Sequence, residues 1–443
     1  MALAHSTHIA SMRQNGTQSE SILRKNLSET CLKAFRQLRT MPRNLSKTCL
    51  SSGLQLNYDT FGDHRNPAVL LIMGVAAQKV RWPSSFCQRV ADAGYYVIRF
   101  DNRDCGSSGR HFVKAFERIS CLLGLPLMVM TAAMRERWKY LLVIYSLFGR
   151  IVWTQKRRRY RFIHALVGVW SCLSIMVSRL LRCPYSCEDM ARDCVELLDK
   201  LGVVNAHIIG FSMGGMIAQI FAREHSRRCL SLVLLSTCHP SSQLATANVP
   251  FLAMHALTTG DAFHPLADES RRQKALERFW KNLSTRESHD SGAQRKLALE
   301  ELSRGSMDID ACLRQVMAVL KFTDGRQARA LAEGQLPHTL VIHGADDPLI
   351  PIQHGLELAK LMKCKNCVVL PSYGHDVLPG AEDEIYQAIM AHFSDVICST
   401  ANKFDTPYPA AMVAQRAEAA QQSWAALKKS PSVALLTLES SSV

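Results

Sequence analysis

Residues 205–219, NAHIIGFSMGGMIAQ, constrain this chain more than any other stretch. A short apolar run, HIIG, leads into Gly210-Phe211-Ser212-Met213-Gly214, and a helical pattern, MGGMIAQIFAREH, begins at once. So abrupt a turn from strand to helix forces the apex residue into strained backbone geometry. Strand and helix also pass close by, so glycines at 210 and 214 remove side chains that would clash, and Gly215 lets the helix approach the sheet. A serine framed in this way presents its hydroxyl above a sheet edge, where it can attack a substrate.

The surrounding chain alternates strand and helix signals. Strand patterns occur at 54–62 (LQLNYDTFG), 67–74 (PAVLLIMG), 95–101 (YYVIRFD), 229–236 (CLSLVLLS), 338–344 (HTLVIHG) and 367–371 (CVVLP). Helical patterns lie between them, including SCEDMARDCVELLDKLG with Ser186 as N-cap, Asp189 three residues on and a stop at Gly202. Alternation of this kind predicts an α/β fold, a mostly parallel twisted sheet covered on both faces. Residues 238–335 are polar and charged with helical stretches such as RRQKALERFW and IDACLRQVMAVLKF. The expected organisation is an N-terminal extension at 1–50, a domain at 51–400 and an appended tail at 401–443. No internal repeat is evident.

A serine hydroxyl needs a base, and the base needs an orienting carboxylate. With this strand–turn–helix serine, the acid and then the histidine should follow in chain order. VIHGADDPLIP follows a strand and offers Asp347, with Asp346 as the alternative; Pro348 fixes the turn that aims Asp347 inward. LPSYGHDVLP follows the last strand pattern and offers His375. Both loops leave the carboxyl ends of strands, where open α/β sheets carry their sites. His207 lies within a strand, His343 precedes the acid turn and His354 sits on a helix, so His375 alone combines order with placement. Two backbone N–H groups should face the developing oxyanion. Met213, next after the serine, is one candidate; Val75, after the strand at 67–74 and beside Gly74, is the other.

The stretches LLIMGVAAQKVRWPSSFCQRVADAGYYVIRFDNRDCGSSG, GFSMGGMIAQIFAREH, VIHGADDPLIP and SYGHD resemble the α/β-hydrolase superfamily. The resemblance covers roughly residues 54–110 and 184–395, and is closest to a bacterial esterase-like branch that includes the aclacinomycin methylesterases. It implies Ser212 as nucleophile, Asp347 as acid, His375 as base, Val75 and Met213 as oxyanion donors, residues 238–335 as a helical cap over the pocket, and small to medium lipophilic carboxylic esters as substrates. It implies no cofactor and no metal. DNRDCG (101–106), also shared with the family, reads as a structural turn near the pocket rim.

The chain departs from that family at residues 111–182. This insertion holds 13 Lys/Arg against Glu117 and Glu136, and so carries most of the chain's formal charge of +15. Uncharged runs at 119–134, 140–149 and 162–178 separate the basic clusters. The longest falls short of the roughly 20 residues that a bilayer span requires. Two readings remain: an element lying on an anionic membrane surface, or an enlarged lid with solvated basic residues. Nucleic-acid binding through QKRRRYR is disfavoured, because no nucleic-acid module surrounds it.

The 15 cysteines show no disulfide framework, and CKNC at 364–367 stands alone without a second pair. A reducing, intracellular compartment is expected. The first 50 residues, with eight Lys/Arg against two acids and no apolar signal core, read as a disordered or targeting extension; the compartment is cytoplasmic, with mitochondrial targeting as the alternative. Serine ester hydrolysis is the leading expectation for function. Perhydrolase or C–C bond hydrolase chemistry on the same triad, and a non-catalytic scaffold binding at a membrane, are its rivals.

Overall fold

The computed structural model describes residues 46–109, 185–240, 268–285, 291–305, 309–322, 337–377, 380–400 and 422–437. They belong to a unit running from Ser46 to Val443. The basic insertion at 111–182 lies outside the described residues, as does the extension as far as residue 45.

Nine strands form one sheet: β1 (Ser46–Cys49), β2 (Gln55–Phe61), β3 (Ala68–Ile72), β4 (Tyr96–Phe100), β5 (Ala206–Phe211), β6 (Cys229–Leu235), β7 (Thr339–Gly344), β8 (Asn366–Leu370) and β9 (Ala434–Thr437). Their spatial order is β1-β2-β4-β3-β5-β6-β7-β8-β9. The run from β4 to β8 is parallel, and antiparallel strands close both edges. β3, β5 and β7 are buried along their whole length, as expected of parallel strands covered on both faces.

Alternate residues of each strand feed opposite faces. On one face Val69, Leu71, Ile209, Val233, Leu340 and Val368 pack with α1 (Ser84–Asp92), α8 (Glu382–Thr400) and the cap helix α4 (Glu269–Leu283). On the other face Leu70, Ile72, Ile208, Leu232 and Val341 meet α2 (Cys187–Lys200), α3 (Met213–Glu224) and α7 (Ile352–Leu361). Two further cap helices, α5 (Ser291–Ser303) and α6 (Ile309–Phe322), complete the described cap. The N-terminus of α2 forms as its sequence predicts: the Asp189 carboxylate accepts the Ser186 N–H at 2.7 Å and the Ser186 hydroxyl at 3.0 Å.

Two boundaries differ from those read in the sequence. β1 falls inside the stretch assigned to the extension, pairing with β2 from Ser46 to Cys49. The tail at 401–443 also enters the fold, since a helix at 422–429 (α9) precedes β9 and β9 pairs with β8. Leu427 of α9 is fully buried. Edge strands pair on one side only, and their half-exposed residues leave little apolar pattern to detect.

β4 and β5 lie on either side of β3, so the chain order reverses there. A crevice opens at the carboxyl ends of β3 and β5 at such a switch point. The loop after β3 and the turn after β5 line it.

Candidate active site

Ser212 occupies the turn between β5 and α3 with φ 54° and ψ −120°, a strained conformation for a residue with a side chain. A Cβ on Gly210 would stand 2.3 Å from the Gly214 carbonyl oxygen, and one on Gly214 would stand 2.2 Å from the Ile72 carbonyl oxygen. Only glycine fits at either position. The turn is also tied to β6: the Ser212 N–H donates to the Leu235 carbonyl at 2.9 Å, and the Thr237 hydroxyl donates to the Ser212 carbonyl at 2.8 Å.

The structure brings the three side chains predicted from the sequence into one line. Ser212 Oγ lies 3.0 Å from His375 Nε2, and His375 Nδ1 lies 2.7 Å from Asp347 Oδ2. Asp347 Oδ1 accepts the N–H groups of Leu349 and Ile350 at 2.9 and 2.8 Å, which fixes the carboxylate in its turn. All three residues are buried. Asp346, the alternative acid, is exposed. His343 lies behind the acid: its Nε2 is 2.8 Å from the Ile350 carbonyl oxygen and 3.5 Å from Asp347 Oδ2. Burial pushes the His343 imidazole below its ordinary value, against the pull of Asp347.

The two predicted oxyanion donors flank the serine. Met213 is the first residue of α3, where a helix leaves its N–H groups unpaired. Val75 belongs to the loop after β3. A Cβ on its neighbour Gly74 would lie 3.1 Å from Ser212 Cβ, so this loop passes directly over the nucleophile.

The cap holds the edges of the site, a feature that no sequence pattern revealed. The His375 N–H donates to the Leu283 carbonyl at the end of α4, at 2.8 Å. The next residue, Asp376, is buried; it accepts the Ser284 hydroxyl at 2.6 Å and the Gln294 amide of α5. Burial raises the Asp376 carboxyl above its ordinary value, while the Arg81 charge opposes that rise. Arg81 is itself fully buried, donating to Gln294 and to Glu301 at 2.6 Å each and lying over the Trp280 ring. The DNRDCG turn is a structural turn, as expected, and also the cap's anchor. Arg314 of α6 grips Asp104 with two bonds at 2.8 and 2.9 Å, and Arg304 donates to Asp101 at 2.6 Å.

Among the described residues no cluster of His, Cys, Asp or Glu side chains is arranged to hold a metal ion. Nor is any helix among them long and apolar enough to cross a membrane.

A parallel sheet with a strained serine at its switch point is the framework of one large class of hydrolases. The chain belongs to that class: the sequence profile of the alpha/beta hydrolase fold family matches residues 67–380, more than half of its length. It is 30% identical over 188 residues to 2-hydroxymuconate semialdehyde hydrolase of Pseudomonas sp. (strain CF600), a match covering 41% of this chain and 59% of that protein. It is 24% identical over 174 residues to a rhodomycin D methylesterase of Streptomyces sp. (strain C5), covering 39% and 36%. The matched segments therefore span less than two thirds of these relatives. The fold is similar to that of an esterase from Rhodococcus sp. ECU1013, with a TM-score of 0.52 at 15% identity, covering 79% of this chain and 98% of that one.

Proposed function

We propose that the chain hydrolyses carboxylic esters through an acyl-enzyme on Ser212. His375 Nε2 takes the proton of Ser212 Oγ as that oxygen bonds to the ester carbonyl carbon and the carbonyl π pair moves onto its oxygen. Asp347 holds the imidazole through Nδ1 and stabilises the imidazolium that forms. The N–H groups of Val75 and Met213 stabilise the oxyanion. As the intermediate collapses, the C–O bond to the alcohol breaks and His375 protonates the departing oxygen. Water then loses a proton to His375 and attacks the acyl carbon. A second collapse returns the proton to Ser212 and releases the acid.

The observation that carries this reading is the unbroken hydrogen-bonded run from Ser212 through His375 to Asp347, built on a serine held at positive φ. The oxyanion assignment rests on Met213 opening α3 directly after Ser212 and on the Val75 loop passing over the serine. Lipophilic or lipid esters are the substrate class we favour, because greasy, basic residues at 111–182 leave the chain just after β4, on the sheet edge that carries Ser212. On this view the insertion meets an anionic membrane surface.

The test is a panel of short and long esters offered to purified protein with and without anionic liposomes, beside Ser212→Ala. Loss of about 10⁶ in kcat is expected in the variant, along with faster turnover of long-chain esters on liposomes. Full activity in Ser212→Ala would sink the mechanism; indifference to liposomes would reduce the insertion to a lid. Folded protein that turns over no ester and resists a fluorophosphonate probe would favour a non-catalytic scaffold.

A second reading is favoured by the 30% identity to 2-hydroxymuconate semialdehyde hydrolase: the same triad would cleave a carbon–carbon bond next to a carbonyl. Turnover of 2-hydroxymuconate semialdehyde but of no ester would select it.

A further inference from the structure

The loop that carries Val75 is tied by side-chain hydrogen bonds to elements distant in sequence. Asn102 Nδ2 donates to the Met73 carbonyl at 2.8 Å, and Cys105 Sγ lies 3.1 Å from the Ala77 carbonyl oxygen. Gln78 Nε2 donates to the Glu301 and Gly305 carbonyls at 2.9 and 2.7 Å. At the middle of the loop Ala76 has φ 59°, a left-handed conformation that a residue with a Cβ avoids. Its buried N–H finds one acceptor, Oε1 of Gln315 on α6, at 2.9 Å, across 239 positions of sequence.

Gln315 is itself fixed. It is fully buried, and its Nε2 donates to the Arg103 carbonyl at 2.9 Å. The adjacent Arg314 clamps Asp104 on the same turn. A side-chain amide offers an acceptor and a donor on one rigid group, as is needed to join a loop N–H to a turn carbonyl.

We propose that Gln315 is a positioning residue for the oxyanion site: by holding the Val75–Ala76 peptide plane, it aims the Val75 N–H. The planes on either side of Val75 share its Cα, so releasing the second lets the first swing. The donor then leaves the place where the oxyanion forms. The cap thus supplies part of the catalytic alignment as well as a cover. This inference rests on the serine-hydrolase reading above.

Gln315→Met keeps the shape and removes both hydrogen bonds. With p-nitrophenyl butyrate as probe, kcat should fall by about 10- to 100-fold, the range expected when a transition-state donor is misplaced, while KM stays within about threefold. Inhibition by butylboronic acid, which becomes tetrahedral on Ser212, should weaken by the same factor as kcat/KM. Inhibition by butyrate should not change. If thermal unfolding shows that the methionine variant does not fold, Gln315→Asn, too short to bridge both partners, carries the same three measurements. Unchanged kcat and unchanged boronic acid inhibition would overturn the proposal. So would equal losses of boronic acid and butyrate binding, which would mean general loosening of the pocket. Failure of the underlying reading is separate: it would appear as activity in Ser212→Ala, whatever Gln315→Met does.

Discussion

The sheet side and the cap side of the site are held in place by different physics. On the sheet side Ser212, Asp347 and His375 stand on tight turns at strand ends, positioned by backbone geometry: a positive φ, two obligatory glycines and a carboxylate gripped by its own turn. On the cap side the loop of His375, the loop of Val75 and the DNRDCG turn are held by long buried side chains: Gln294, Glu301, Arg314 and Gln315 from the cap, with Arg81 meeting Gln294 and Glu301 from the sheet side. Turns of the first kind form locally. The second arrangement requires partners more than 200 positions apart and exists only once the cap is seated. Chemistry should therefore fail when the first is broken, and stability or alignment when the second is.

The largest expected effect is on the sheet side. Asp347→Asn should lower kcat by about 10⁴, because the histidine is then held in the wrong tautomer, with the unfolding midpoint little changed. Asp346→Asn, one residue away and exposed, should leave kcat unchanged. Equal losses in the two variants, measured on one ester under saturating conditions, would mean that the acid has been misassigned.

On the cap side Glu301→Ala should act on stability. It removes the carboxylate from a fully buried guanidinium, and breaking such a pair costs about 3–5 kcal/mol. The exposed pair of Asp63 and Arg65 provides the contrast; Asp63→Ala should leave the urea midpoint where it is. Were Glu301→Ala equally silent, the Arg81–Glu301 pair would add nothing net to the seating of the cap.

This contrast also decides what could be read without coordinates. The turn at Ser212 was legible because strain dictates residue types at fixed spacing: glycine at 210 and 214, a strand before and a helix after. The loops of Asp347 and His375 were legible from order and placement, and the start of α2 from Ser186 and Asp189. Gln315 was not. It sits on an ordinary amphipathic helix, and nothing within ten residues of it signals a bond to Ala76. DNRDCG stood out as a turn, but its role as the cap's anchor depends on Arg304 and Arg314, which look like any surface arginines in a polar stretch. β9 was missed because four residues in a Ser- and Ala-rich tail, paired on one side, carry almost no periodicity.

The tail offers the next test. Leu427 of α9 is fully buried in the core cluster that also holds residues of α8 and β8, so Leu427→Ala should cost about 2–5 kcal/mol in chemical denaturation. A loss below about 0.5 kcal/mol, the range for surface substitutions, would return the C-terminal segment to the appendage that its composition suggests.

The effect confined to the narrowest range of conditions lies where the two sides meet. Lys79 follows the loop of Val75 and is fully buried against Asp59 of β2, with Nζ 2.6 Å from the carboxylate. Burial pushes its ammonium down from the ordinary 10.5 to about 8, although Asp59 and Asp101 pull it back up; Arg304 of the cap adds to the depression. Between those two pH values the unfolded chain keeps a proton that the folded chain has already lost. Stability therefore gains from this group as pH rises from about 8 towards 10.5. Lys79→Met lacks that contribution, so the difference between wild type and variant in urea unfolding should grow in favour of wild type across the window. Removing the cap charge with Arg304→Met should lift the ammonium and narrow the window from its lower end. Parallel pH profiles for wild type and Lys79→Met would mean that Lys79 exchanges its proton as freely as a surface lysine, and that the cap's charges do not reach the loop beneath them.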